Sequence, residues 1–593
     1  MKNLNEGNFM VPEDTSSTAD CDLLVVGGGA AGLSAAVTAA HHGLKVIVAE
    51  KAATLGGATA WSGGWMWAPL NPLSQADGIV EDIDGPRTYL KHALGANYDE
   101  PRVEAFLHNA PHMVAFFQNR TSLQFVSGSW IADIQGDLPG AGTGGRSVGP
   151  KPFNERRLRK DLRKLLRPQM YETSFLGMGI MAGPDLQAFL HATSSVKSFF
   201  HAAWRVAFHA VDLIVYRHGM QLVNGPALIA RLVKSADELG VTMWPNSPVT
   251  SLTTQASRVT GAVVRRPDGD TTVRPATGVV LAAGGFPNDV QRRAEFFPRT
   301  PTGKEHWTLA PKETTGDGVA LGESAGGVLD TDLASPAAWC PVSLVPYRSG
   351  RVGVYPHIVD RGKPGLIAVL STGKRFVNEA DGYYQFTQGM LNAVPAGEPV
   401  QAWLICDHTF QRKYPFGMAK PFPVPTFPYV RSGYLTEGKT LAELARKCGI
   451  EPVQLEETVA EFNRHARVGE DPEFKRGVSA FNKGSGDKDH GPNPSLAPLE
   501  RGPFYAIKVL PGSFGTFAGL KADAQSRVLN SAGDPISGLW VAGSDQANVM
   551  GGHYPSGGIN IGPAMTFGYI AGRNAAGVTD YENVLPEVHN EGV

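Results

Sequence analysis

Gly27, Gly29 and Gly32 stand in a G-x-G-x-x-G pattern, and Glu50 follows eighteen residues after the last of them. The run Leu23-Leu24-Val25-Val26 reads as a buried strand before the glycines, and residues 33–42 continue at helical spacing. Residues 44–49 are a second apolar run that ends at Glu50. Each position has a chemical reason. Glycine at 27 permits the tight turn, at 29 it lets backbone approach a pyrophosphate, and at 32 it lets the helix pack closely on the sheet. The helix N-terminus offers N–H groups to phosphates, and Glu50 can accept ribose hydroxyls. Strand, turn, helix, strand and acid in register make a dinucleotide site. On its own the pattern serves a nicotinamide or a flavin equally well.

The elements that position this site must come from a large chain. Its 593 residues are too many for one ordinary core, so two or more domains are expected. The net charge of −2 and the absence of long like-charge runs argue against a nucleic-acid partner. Cys21, Cys340, Cys406 and Cys448 lie far apart with no C-x-x-C pair, which disfavours a disulfide framework or structural zinc site and fits a reducing cytosol. Residues 1–20 are polar and acidic, without the apolar region of a signal peptide, and read as a disordered lead-in. No stretch reaches 18 uninterrupted apolar residues, so no membrane span is expected.

Further along, Ala58 to Pro69 carries the Gly63-Gly64 pair, small hydroxyls and tryptophans, which suits backbone packed on a flat ring system. Residues 85–120 have helical spacing, and 125–145 read as an irregular pocket wall. Residues 156–222 stand out. They open with Arg156-Arg157-Leu158-Arg159-Lys160 and contain a helix over 195–217 that mixes Phe199, Phe200, Trp204, Leu213 and Ile214 with Lys197, Arg205 and Arg217. Such a helix either lies at a membrane interface or packs within the protein or between subunits, and the sequence leaves both open. A helix over 225–239, a hairpin turn at 267–270 and a buried strand ending at Ala283-Gly284-Gly285 follow. Asp317 opens a helix, 455–467 is another, and 482–494 reads as a polar loop. Strands return at 504–510 and 539–544, and Gly557-Gly558 opens a closing helix. The cofactor fold is thus split between the two ends of the chain. The expected division is 20–300 and 501–580 for the cofactor domain, with a catalytic domain over 301–500 between them.

Five features recur together in one superfamily. They are the glycine motif with Glu50, Ala282-Ala283-Gly284-Gly285-Phe286, Thr315-Gly316-Asp317-Gly318, Gly373-Lys374-Arg375-Phe376-Val377-Asn378-Glu379, and Ala542-Gly543 before a Gly-rich helix. Over residues 20–575 the chain resembles flavoproteins of the fumarate reductase and 3-ketosteroid dehydrogenase superfamily. The resemblance implies an α/β fold, a Rossmann-like FAD-binding domain split N- and C-terminally with an inserted α+β catalytic domain. It implies FAD, held without a covalent link. The FAD contacts it implies begin with Gly27, Gly29, Ala30, Ala31, Gly32, Glu50 and Lys51. They continue with Gly57, Ala58, Thr59, Ser62, Gly63, Gly64, Val249, Ala283, Gly284, Gly285 and Asp317. At the C-terminal end they are Gly543, Ser544, Gly558, Ile559 and Ile561.

The branches of the superfamily differ in chemistry. Fumarate reductases carry a histidine in His-Thr-x-Gly-Gly and an arginine before the last glycine pair. Here those stretches read Phe514-Gly515-Thr516-Phe517-Ala518-Gly519 and Gly552-His553-Tyr554-Pro555-Ser556-Gly557-Gly558, with neither residue present. The second stretch is instead similar to 3-ketosteroid Δ1-dehydrogenases. That resemblance implies that Tyr554 and the backbone N–H of Gly558 hold a ketone oxygen. It implies that Tyr383, with Tyr384 as its rival, takes the α-proton. Two donors on a carbonyl acidify its α C–H, and a hydride from the β-carbon can then leave to the flavin. A further tyrosine that assists the base in those enzymes is missing from Trp130-Ile131-Ala132-Asp133, so Asp133, Tyr355 or Tyr384 must serve, or the substrate differs. The expected activity is introduction of a C=C bond α,β to a ring ketone, either a 3-ketosteroid or a smaller cyclohexanone-type ketone, with a quinone or other electron acceptor. An alkene or dicarboxylate reductase and a non-catalytic flavin electron carrier are the alternatives. The expected location is cytoplasmic or peripheral to the inner face of the membrane.

Overall fold

The structure is a computed structural model that describes residues 17–192 and 195–581. An eight-stranded sheet forms its base. The order across it is Arg527–Leu529, Pro535–Val541, Arg258–Arg266, Gly269–Leu281, Ser17–Val26, Val46–Ala49 and Thr242–Trp244, with Val249–Gln255 paired to Arg258–Arg266. Strands from both chain ends therefore lie in one sheet. Pro535–Val541, Gly269–Leu281, Ser17–Val26, Val46–Ala49 and Thr242–Trp244 run parallel, so their C-terminal ends open on one side.

Leu23 to Val26 and Val279 to Leu281 are buried because helices cover the sheet. Ala30–His41 packs against Ile561–Ala575, and the small residues make the approach close. A Cβ on Gly568 or Gly572 would come within 2.4 Å and 2.6 Å of the carbonyl oxygens of Ala31 and Ala35. The predicted helices over 85–120 and 225–239 are present as Asp84–Leu94, Glu100–Arg120 and Asn224–Glu238.

A second, seven-stranded sheet is built on the long strand Phe504–Thr516, which pairs antiparallel with Ala337–Pro346 and Ala402–Cys406. Val352–Pro356 and Leu366–Val369 complete its edges. Behind it Glu379 is fully buried, its carboxylate accepting from Arg375 Nε at 2.8 Å, Arg476 at 3.1 Å and the Ala368 N–H at 3.0 Å. Arg361 ties the Glu379 and Asp381 carbonyls at 2.8 Å and 3.1 Å. These bonds fix the turn from which the helix Tyr383–Ala393 starts.

Two expectations change. The lead-in is shorter than 1–20, because residues 17–20 open the first strand, paired from Ser17 to Thr271 by the long hairpin strand Gly269–Leu281. The part of that expectation over residues 1–16 lies outside the described residues. Residues 482–485 belong to the helix Ala480–Ser485 and not to a loop. Their polarity serves buried bonds: Asn482 accepts from Gly477 N–H at 3.0 Å and Asn378 at 2.9 Å, and donates to Asp381 at 3.0 Å.

Candidate active site

A continuous cavity of about 1480 Å³ runs from the C-terminal ends of the parallel strands to the inserted region. The glycine motif forms its floor. Gly27 has φ +106°, and a Cβ there would meet the Ala282 carbonyl oxygen at 2.3 Å, so only glycine fits beside that strand end. A Cβ on Gly29, by contrast, would project into open space. That is the close approach a pyrophosphate needs. Glu50 accepts from the N–H groups of Gly28 and Ala52, each at 2.8 Å, and burial raises its carboxyl pKa against the pull of those bonds. Lys51 pairs with Asp317 at 2.6 Å.

Of the expected FAD contacts, Gly27, Gly29, Ala30, Ala31, Glu50, Lys51, Gly57, Ala58, Thr59, Ser62, Gly63, Gly64 and Val249 line this cavity. So do Ala283, Gly284, Asp317, Gly543, Ser544, Gly558 and Ile561. Three others do not, for steric reasons. Gly32 sits in the first turn of the helix Ala30–His41, packed on the glycine turn, where a Cβ would meet the Gly27 carbonyl at 2.0 Å. Gly285 is pressed on Thr516, and Ile559 is fully buried in the core. Asp545, which the motifs did not single out, clips the two halves together: its Oδ1 accepts from the Gly285 N–H at 2.7 Å, and its Oδ2 takes the Ala283 N–H. Burial pushes its carboxyl up to about 6.

The catalytic candidates meet at one end of this floor. Tyr383 begins the helix Tyr383–Ala393 and points into the cavity, and Tyr554 comes from the closing turn. Their rings meet edge to face with centroids 4.9 Å apart, and the Phe514 ring lies 5.2 Å from Tyr383. The neighbouring phenols act oppositely on one another, lowering the pKa of Tyr383 and raising that of Tyr554. Burial raises both and outweighs that effect at Tyr383. Asn560 Nδ2 donates to the Tyr554 hydroxyl at 3.1 Å. Gly558 lines the cavity with φ +97°, packed so tightly that a Cβ would lie 2.6 Å from the Trp67 nitrogen.

Tyr384 turns away. Its hydroxyl donates to the Gly552 carbonyl at 2.9 Å inside the core, so neighbouring residues on one helix face different sides. Asp133 is likewise locked, accepting from Trp67 Nε1 at 2.9 Å, Gly142 N–H at 2.8 Å and Arg146 at 2.7 Å. Of the three groups considered for assisting the base, Tyr355 alone lines the cavity. It lies opposite Ser343 in the sheet, with the His357 ring 5.3 Å from its own. Behind it His357 bonds Asp360 at 2.7 Å and Ser343 at 2.8 Å. His553 bonds Asn97 at 3.3 Å and does not line the cavity.

Comparison with known proteins shows the family of the chain. The FAD binding domain family matches residues 22–561. The chain is 42% identical to a 4-oxocyclohex-2-ene-1-carboxylate 5-dehydrogenase of Sinomonas cyclohexanicum, over 95% of this chain and 94% of that one. It is 36% identical to a 3-oxosteroid 1-dehydrogenase of Mycolicibacterium smegmatis, over 94% and 97% of the two. Among solved structures, the 3-ketosteroid Δ1-dehydrogenase from Sterolibacterium denitrificans in complex with 1,4-androstadiene-3,17-dione superposes with TM-score 0.87 at 34% identity, covering 94% of this chain and all of that one. The fold and site define an FAD-dependent dehydrogenase. The chain belongs to the FAD-binding flavoprotein family whose members include these ring-ketone dehydrogenases. FAD is its cofactor, and the open space over Gly29 together with the acid at Glu50 fits that group.

Proposed function

We infer that this enzyme introduces a C=C bond α,β to the carbonyl of a ring ketone. The observation that carries the reading is the edge-to-face pair Tyr383–Tyr554 beside Gly558 on the cavity wall. Tyr554 and the Gly558 N–H donate to the ketone oxygen, which stabilises enolate-like charge and acidifies the α C–H. Tyr383 takes the α-proton as phenolate. Tyr355 supports the base from the wall. FAD, when bound, supplies the two-electron chemistry by accepting the β-hydride. A quinone or another acceptor then regenerates the oxidised enzyme. Anaerobic mixing with a panel of cyclic ketones tests the reading: bleaching of the flavin absorbance is expected, and no bleaching by any of them overturns it. The dicarboxylate-reductase alternative is disfavoured because Phe514 lines the cavity where that chemistry needs a cation.

A second feature bears on where the enzyme works. The helix Val196–Tyr216 leaves Phe200, Trp204 and Ile214 exposed at 67%, 57% and 75% of their surface. Its other side, with Phe199, Ala203, Val206 and Ala210, lines the cavity. Lys197 and Arg217 flank it. Among the described residues no helix is long and apolar enough to cross a membrane. The reading is an interfacial helix that seats the cavity mouth on an anionic bilayer.

A further inference from the structure

The cavity is uneven in charge. Its acids are Glu50, Glu313 and Asp317, and each is engaged: Glu50 by backbone N–H groups, Glu313 by Arg167 at 3.3 Å, and Asp317 by Lys51. A different stretch of wall, residues 412–424 of the inserted region, contributes Arg412, Lys413 and Lys420. Lys413 is neutralised by Asp487 at 2.6 Å, and the Arg412 guanidinium lies 4.2 Å from the centre of the Phe422 ring. Lys420 has no ion-pair partner among the described residues. Burial alone pulls its ammonium down to about 8, with no opposing charge to hold it up.

This wall is fixed relative to the catalytic end. The Gly417 N–H donates to Asp360 at 2.9 Å, and Asp360 bonds His357, whose ring packs on Tyr355. The Lys420 carbonyl accepts from Gln411 at 3.1 Å. The wall that carries Lys420 is thus braced against the tyrosine end of the cavity. A cation desolvated beside an open cavity without a counter-ion is costly to keep. The cost is recovered when a ligand brings the missing anion, because a hydrogen bond to a charged partner in such a site is strong.

We propose that Lys420 is an anion subsite: the ring ketone that this enzyme oxidises carries a carboxylate remote from its carbonyl, and Lys420 holds that carboxylate while Tyr554 and Gly558 hold the ketone. This rests on the ring-ketone reading above. Two substrate sizes share the chemistry, a single ring with a carboxylate across from the ketone and a steroid with an acidic side chain on its far ring.

Steady-state kinetics of the FAD-loaded enzyme separate them. One pair of substrates is 4-oxocyclohexane-1-carboxylate and its methyl ester; the other is a 3-keto-4-ene steroid acid and its methyl ester. For one pair the wild type is expected to favour the acid in kcat/KM by roughly ten- to hundredfold, the range of a charged hydrogen bond. Lys420→Met should raise KM for that acid by a similar factor and shift the ester's KM by less than threefold, and Lys420→Arg should restore part of the preference. The flavin absorbance of each variant reports folding. Acid and ester turned over alike by the wild type, or slowed alike by Lys420→Met with flavin retained, overturns the subsite and leaves the ring-ketone reading standing. Absence of flavin bleaching by all four compounds overturns both.

Discussion

The rings of Tyr383 and Tyr554 meet edge to face with centroids 4.9 Å apart, although Tyr383 starts a helix of the inserted region and Tyr554 sits in the closing turn of the cofactor fold. The two phenols act oppositely on one another. Tyr554 lowers the pKa of Tyr383 and Tyr383 raises that of Tyr554, so the pair splits into a base and a donor. Removing either phenol should therefore cost different steps. Tyr554→Phe and Tyr383→Phe are each expected to lower kcat by roughly 10²- to 10³-fold, the worth of an oxyanion donor or a positioned base. Both should retain FAD by absorbance. Tyr384→Phe should leave kcat within a few-fold and lower stability by about 1 kcal/mol, the value of its bond to the Gly552 carbonyl. Equal losses for Tyr383→Phe and Tyr384→Phe would remove the distinction.

The same pair sets the pH dependence. Burial holds the Tyr383 phenol above the ordinary range, so little phenolate exists at neutral pH. A base that works only when ionised gains activity as protons leave. kcat/KM should climb steadily with pH and still be rising at about pH 9, below the ordinary phenol pKa. In Tyr383→Phe the residual activity should lose this slope. A wild-type profile that is flat from neutral to alkaline pH would show that another group takes the proton.

The backbone half of the site is legible in the sequence, and the side-chain half is only partly so. A turn so close to a carbonyl that a Cβ would lie 2.3 Å from its oxygen leaves glycine as the one solution, so Gly27 carries its structural meaning in its identity. The same logic blurs lining with packing: Gly32 and Gly285 obey the motif but face neighbouring backbone and side chains. Tyr383 and Tyr384 are adjacent and chemically identical, and only the Gly552 carbonyl and the Phe514 ring decide which one enters the cavity. Asp545 and Lys420 belong to no spacing pattern. Their meaning arises from partners distant in the chain, the N–H groups of Ala283 and Gly285 for one and a cavity without a counter-ion for the other.

His306 links the inserted region to acid stability. It is buried against the rings of Phe297 and Trp339, with Nε2 bonded to the Ser513 hydroxyl at 2.8 Å, and burial depresses its pKa to about 3. In the unfolded chain it takes a proton near pH 6.5. The stability it contributes is therefore complete above pH 6.5 and lost as pH falls toward 3, at about 1.4 kcal/mol per pH unit. Urea unfolding at pH 7 and pH 5 should show a steeper loss for the wild type than for His306→Gln. Identical slopes would mean that His306 is already charged in the folded protein.

The exposed apolar row of the helix Val196–Tyr216 calls for the last test. Phe200, Trp204 and Ile214 face outward, while Phe199 and Val206 of the same helix face the cavity. Burying one such side chain in an apolar phase yields about 1.5–3 kcal/mol, so three together account for firm binding to a surface. The wild type should co-sediment with vesicles containing anionic phosphatidylglycerol and less with neutral ones, because Lys197 and Arg217 flank the row. The triple variant Phe200→Ser, Trp204→Ser, Ile214→Ser should lose vesicle binding by at least tenfold while turnover of a water-soluble cyclohexanone stays near normal, since none of the three lines the cavity. If the wild type ignores vesicles and the triple variant instead changes its sedimentation coefficient, the row covers a second copy of the chain, and the membrane reading is withdrawn.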